Sequence, residues 1–191
     1  MAEHTSQILV EEFETIASAA PETVMLEFID GRIGVRKATD GDHGTIVSWL
    51  AKRCMRARPD LDLCPAQGLR VDAYRQSRAR PDAVLAPEAH FAGHGAWADP
   101  AGALMVVEVT SYDADTDRRV RHEMPTAYGE SGIPVYLLID RDSRTVTVRS
   151  SPDRQVGGYR VAHVAKFGET VALPDPLGIE LDTEILKNYV R

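Results

Sequence analysis

The spacing of apolar residues changes several times along the chain, and each change marks an element. Between Gln7 and Ala19, Ile8, Val10, Phe13 and Ile16 fall near helical spacing, with Thr5 or Ser6 as the cap and Pro21 as the stop. Val24 to Ile29 reads as a strand, Asp30-Gly31 as a hairpin turn, and Arg32 to Lys37 as the returning strand. Gly41-Asp42 opens a second helix, from about His43 to Arg58. It carries Ile46, Val47, Leu50 and Cys54 on one side and meets Pro59 just beyond its end.

From Leu63 onward the pattern turns to short extended runs. Leu69 to Tyr74 alternates weakly, Ala83 to Ala86 follows Pro81-Asp82, and a loop rich in Gly, Ala and His spans Pro87 to Gly102. Ala103 to Thr110 is almost continuously apolar, which predicts a central strand covered on both faces. A polar stretch, Ser111 to Arg119, leads into a helix ending at Gly132. Pro134 blocks its continuation, and Val135 to Ile139 is a second apolar strand ending in Asp140. Strand, helix, buried strand is the signature of a βαβ crossover with parallel pairing. Thr145 to Arg149 and Tyr159 to Val164 alternate, and the remainder reads as a short strand, a Pro-rich turn and a small closing helix. The expected class is α/β with a mixed sheet flanked by helices. Residues 1–22 form an N-terminal helix and 23–191 a single domain.

Composition adds limits. A chain of 191 residues, 43% hydrophobic, can bury one proper core. A net charge of -7 excludes a surface that binds polyanions everywhere, so a nucleic-acid partner needs a local basic cleft. Arg53, Arg56 and Arg58, then Arg70, Arg75, Arg78 and Arg80, could supply one; a solvated face of scattered cations is the preferred reading. Cys54 and Cys64 lack metal-ligand spacing and read as free thiols in a reducing compartment. Met1 to Gln7 lacks the basic and apolar regions of a signal peptide, and no apolar run approaches a membrane span, so a cytoplasmic location is expected.

The chemistry concentrates on two acids. Glu108 interrupts an apolar strand, and an isolated buried carboxylate costs several kcal/mol unless a cation, hydrogen bonds or a metal meets it. The bland alternative is a strand-end Glu paired with an arginine. Asp82 opens the short strand before it; Pro-Asp alone is turn chemistry. If the two strands pair antiparallel, both acids fall at one edge of the sheet and offer hard oxygens to Mg²⁺ or Mn²⁺. Such a metal activates water and neutralises a phosphodiester under attack.

The runs Arg80-Pro81-Asp82-Ala83-Val84, Val106 to Ser111, and Ala127-Tyr128 with Gly132 to Asp140 together resemble the Uma2 family, also called DUF820. So does Leu26 to Gly31 followed by His43; the likeness runs from about Val24 to beyond Asp140. The resemblance implies a restriction-endonuclease-like fold of the PD-(D/E)XK type and a metal-dependent nuclease. It makes Asp82 and Glu108 the ligands of Mg²⁺ or Mn²⁺ and Glu27 a helper, with DNA as partner and a homodimer that reaches both strands. The pattern breaks where such nucleases carry lysine. Thr110 stands two residues after Glu108, and Met124 and Val120 stand on the following helix where the family commonly has lysine and aspartate. Neither side chain can orient water or stabilise negative charge. These two share a helical face that packs as core, and Pro125 predicts a kink or a fresh helix start. Arg121, and less so His122, are the candidates to restore charge stabilisation.

Other constellations are weaker. Asp113, Asp115 and Asp117 fail the calcium-loop pattern because Arg118 and Met124 take the glycine and glutamate positions, leaving solvated aspartates at a helix start. His90 and His94 sit among glycines unsuited to a zinc helix. The resulting expectation is a metal-dependent DNA nuclease with activity weakened or lost through Met124 and Val120. The alternative is a catalytically inactive relative serving as a binding module.

Overall fold

The computed structural model describes residues 8–36, 39–71, 76–110, 112 and 114–190. The hairpin β1 (Met25–Ile29) and β2 (Arg32–Arg36) follows the pattern read from the sequence, whereas helix α1 (Val10–Ala19) opens after Leu9, whose N–H is taken by Glu12 at 2.8 Å, and not after Thr5 or Ser6. Asp30 and Gly31 both take positive φ, 51° and 75°, as a tight hairpin turn requires. Phe13 of α1 stacks on Phe28 at 5.1 Å and lies 5.8 Å from Trp97, so the first helix covers the hairpin.

Helix α2 (Gly41–Ala57) starts at Asp40, whose side chain accepts from the His43 backbone at 2.8 Å. Ile46, Leu50 and Cys54, spaced by four, are fully buried. Burying each large aliphatic side chain stabilises by roughly 1.5–3 kcal/mol. The strands that follow are β3 (Leu61–Pro65), β4 (Gly68–Val71), β5 (Ser77–Ala79), β6 (Ala83–Pro87), β7 (Trp97–Ala98) and β8 (Met105–Val109). Helix α3 (Ala114–Glu130) crosses over to β9 (Val135–Asp140). The chain ends with β10 (Thr145–Asp153), β11 (Gly158–Lys166), β12 (Thr170–Leu173), β13 (Ile179–Asp182) and a 3₁₀ turn, Glu184–Tyr189.

The central sheet has the order β11-β10-β9-β8-β6-β3. Its β8 and β9 run parallel across α3, and its other pairs are antiparallel, which is the mixed sheet and crossover expected. The N-terminal hairpin joins a separate sheet, β2-β1-β5-β4-β7, and β12 pairs with β13 alone. On one face of the central sheet α2 packs with Leu63, Met105, Val107 and Leu137. On the other, α3 buries Val120, Met124 and Tyr128 against Val106, Tyr136 and Leu138.

Two further expectations need correction. The polar stretch before Arg119 is helical from Ala114, and Pro125 does not start a new helix, because α3 runs unbroken through it. Proline forfeits one backbone bond inside a helix; here buried Val120, Met124 and Tyr128 hold the turns on both sides of it. Close approach also fixes this helix. A Cβ at Gly129 would lie 2.4 Å from the Gly158 carbonyl oxygen, so only glycine lets α3 rest on β11. Among the described residues, no helix is long and apolar enough to cross a membrane.

Candidate functional site

Antiparallel pairing sets Ala83 opposite Val107, so one further step of register brings Asp82 and Glu108 side by side at a rim of the central sheet. The register supplies more than proximity. Val109 donates its backbone N–H to Asp82 Oδ2 at 2.7 Å, tying the first acid to the strand that carries the second. Glu108 is fully buried on the α3 side, where Tyr128 Oη donates to its Oε1 at 3.1 Å. His43, in the first turn of α2, brings Nε2 within 3.1 Å of Asp82 Oδ2, close enough for charge attraction but too poorly aligned for a good hydrogen bond.

Between the acids lies Arg36. Its Nη2 is 2.6 Å from Asp82 Oδ1 and 3.3 Å from Glu108 Oε2. Its Nη1 is 3.3 Å from the same Glu108 oxygen and also donates to the Arg80 carbonyl. One nitrogen therefore serves both carboxylates, and the two acids that the sequence singled out do converge.

Burial and charge act on the pair in opposite directions. For Glu108, complete burial dominates; with Asp82 and Glu27 nearby it pushes the pKa up to about 8, although Arg36 pulls the other way. For Asp82, burial also raises the pKa, but Arg36, His43 and the Val109 N–H together outweigh it and hold the carboxyl below its ordinary value. Arg36 stays charged despite burial because Glu108, Asp82 and Glu27 surround it.

Glu27 sits on the same face of its hairpin as Arg36, two pairings along: Met25 faces Arg36, Leu26 faces Val35 and Glu27 faces Gly34. Its Oε1 takes Arg119 Nη1 at 2.8 Å, while its buried Oε2 has no hydrogen-bond partner among the described residues. Gly34 makes room for that arginine, since a Cβ there would lie 2.2 Å from Arg119 Nη1. Arg121 is held by Asp140 at 2.8 and 3.0 Å and by Asp142 at 2.9 Å, on the neighbouring strand end. Asp40, which caps α2, also receives Arg141 Nη1 at 2.9 and 3.1 Å, joining the start of α2 to the residue after β9. A groove of about 660 Å³ opens beside Asp82, lined by Arg36, His43 and Arg80 and by the apolar Met25, Val47 and Leu63.

The donor chemistry suits a hard divalent cation. Asp82 and Glu108 give a buried oxygen pair, and Glu27 has an oxygen to spare. Among the described residues no group of three or more His, Cys, Asp or Glu side chains gathers as a metal cluster, so any cation would lean on the pair and on water.

The remaining candidates disperse. Arg78 pairs with Glu14 at 2.7 Å, Arg58 with Asp60 at 2.7 Å, and Arg80 lies 4.3 Å over the Trp97 ring, so these arginines do not form one cleft. Arg75 and Asp113, and the side chains of Asp115 and Asp117, lie outside the described residues. His90 and His94 stand with ring centres 5.7 Å apart, and His90 Nε2 lies 2.9 Å from the Ala101 carbonyl. Both cysteines are free thiols, and burial pushes Cys54 up to about 12.

Arg36 had escaped sequence reasoning. Alternation in Arg32 to Arg36 would turn Val35 inward and Arg36 outward, whereas Val35 is 59% exposed and Arg36 points into the site. The usable signal was an unexplained buried acid, which demands a cation somewhere.

A mixed sheet with a parallel crossover and an acid pair at one rim defines a restriction-endonuclease-like fold. The crystal structure of a putative nuclease belonging to DUF820 from Anabaena variabilis ATCC 29413 shares it, with TM-score 0.73 and 17% identity over 95% of this chain and 98% of that one. The Uma2 family, described as putative restriction endonucleases, matches residues 10–184, and the chain belongs to that family. No curated protein matches it.

Proposed function

We propose that the protein is a DNA nuclease that hydrolyses phosphodiesters with Mg²⁺ or Mn²⁺ held by Asp82 and Glu108. The observation that carries this reading is the meeting of both carboxylates on one nitrogen of Arg36, in a rim where Glu108 is fully buried and Asp82 nearly so. When bound, such a cation activates water and neutralises charge on the phosphodiester. The chain's own residues do the rest. Val109 fixes Asp82 Oδ2, which leaves Oδ1 to Arg36, and Tyr128 holds Glu108 by Oε1, opposite the oxygen that meets Arg36. Glu27, with Oε2 unpaired, is the acid left to accept from a water. Arg36 is a better charge stabiliser for this reaction than Arg121, whose guanidinium already serves Asp140 and Asp142. The neighbouring groove takes the DNA backbone, and two copies of the chain in the cytoplasm would address both strands.

One observation favours the inactive alternative. Val120 and Met124, 2% and 1% exposed, fill the core where the resemblance would place the family's aspartate and lysine. Calorimetric titration with Mn²⁺ decides the metal site: heat is expected from the wild type and none from Asp82→Ala or Glu108→Ala. Equal heats in all three would remove it. A plasmid cleavage assay on the wild type and Met124→Lys then separates nuclease from binding module.

A further inference from the structure

We infer that Arg36 competes with the divalent cation for the Asp82–Glu108 pair, and that the cation enters as the guanidinium withdraws into the adjoining groove, where it meets a phosphate. This rests on the metal site proposed above and says what that site does before the metal arrives. A small divalent cation sits about 2.0–2.1 Å from its oxygens. Asp82 Oδ1 and Glu108 Oε2 share Arg36 Nη2, at 2.6 and 3.3 Å. A divalent cation held by these acids would compete with the guanidinium for the same oxygens and repel its charge. The two cations are alternatives.

The geometry also gives the arginine somewhere to go. Arg36 is the last residue of β2, an edge strand of its sheet, so the side chain can move without breaking an inner ladder. It already lines the groove of about 660 Å³, together with His43 and Arg80, and withdrawal gives up the contact with the Arg80 carbonyl. Helix α3 offers no substitute at Val120 or Met124, both packed among apolar side chains. A guanidinium released into a groove beside Asp82 is placed to bind a backbone phosphate through its fork of donors.

The test measures Mn²⁺ binding by calorimetry in the wild type, Arg36→Gln and Arg36→Gln/Glu108→Gln. Arg36→Gln is expected to bind at least tenfold more tightly than the wild type, and Mn²⁺ is expected to raise its melting temperature by more. The double variant, with both buried charges removed, is expected to fold without binding the ion. In Ca²⁺, Arg36→Gln is expected to hold a short duplex DNA at least fivefold more weakly than the wild type. If Arg36→Gln fails to fold, Arg36→Lys carries the comparison, because an ammonium cannot grip both acids as the fork does; its Mn²⁺ binding should also tighten. Equal or weaker Mn²⁺ binding in the readable variant overturns the competition while leaving the metal site standing. Unchanged DNA affinity overturns the phosphate contact. Absence of Mn²⁺ binding from the wild type and every variant overturns the metal site and the competition together.

Discussion

Two arginine–carboxylate sets stand along the same rim of the central sheet, and only one of them is costly to keep. Arg36 with Asp82 and Glu108 is shut away, with side-chain exposures of 11%, 6% and 0%. Arg121 with Asp140 and Asp142 remains wetter, at 30%, 9% and 43%. Each set joins one arginine to two carboxylates at similar distances. Solvent separates them: water can replace a partner lost from the outer set, but nothing can reach the inner one unless another cation or a proton comes in. Burial converts an ordinary ion pair into a site with a demand.

The comparison can be broken most forcefully at Arg36. Arg36→Ala should cost about 3–5 kcal/mol in urea unfolding without metal, because it strands two buried carboxyls; a loss below 1 kcal/mol would mean the acids were never dependent on it. Tyr128→Phe leaves Glu108 Oε1 without its donor and should cost about 1–3 kcal/mol by the same measurement, against no change if water enters there. Glu108→Gln sharpens the contrast through pH. The folded pKa of Glu108, about 8, lies above its ordinary 4.5, so its favourable contribution is complete below pH 4.5 and is lost as pH rises through 8. Glutamine mimics the protonated acid. The variant should match the wild type near pH 5 and melt roughly 2–4 °C higher at pH 8.5 in thermal scans; a lower melting point there would show that Glu108 is stabilised as an anion. The smallest effect belongs to the outer set: Arg121→Ala should cost about 0.5–1 kcal/mol in urea unfolding and lose most of that difference in 1 M salt.

Much of this was legible in the sequence. Apolar runs announced β8 and β9, and Asp30-Gly31 announced the first hairpin. An acid amid Val107 and Val109 announced the site. What stayed hidden depended on contacts distant in sequence. Arg36 lies 46 residues from Asp82 and 72 from Glu108, on a strand whose alternation is reversed by what it meets. A fresh start at Pro125 fails because propensity sees a missing backbone bond and cannot see the sheet that clamps the helix. Separation of the N-terminal hairpin into its own sheet follows from pairing between β1 and β5, which no local pattern encodes.

Asp40 extends the site's dependence beyond its own walls. One carboxylate both starts the helix that aims His43 and grips Arg141 across a separation of 101 residues. Two remote stretches of chain thus meet at a single keystone, and the imidazole beside Asp82 inherits its bearing from a residue outside the acid pair. Variation at that position would shift the imidazole while leaving Asp82, Glu108 and Arg36 themselves unaltered.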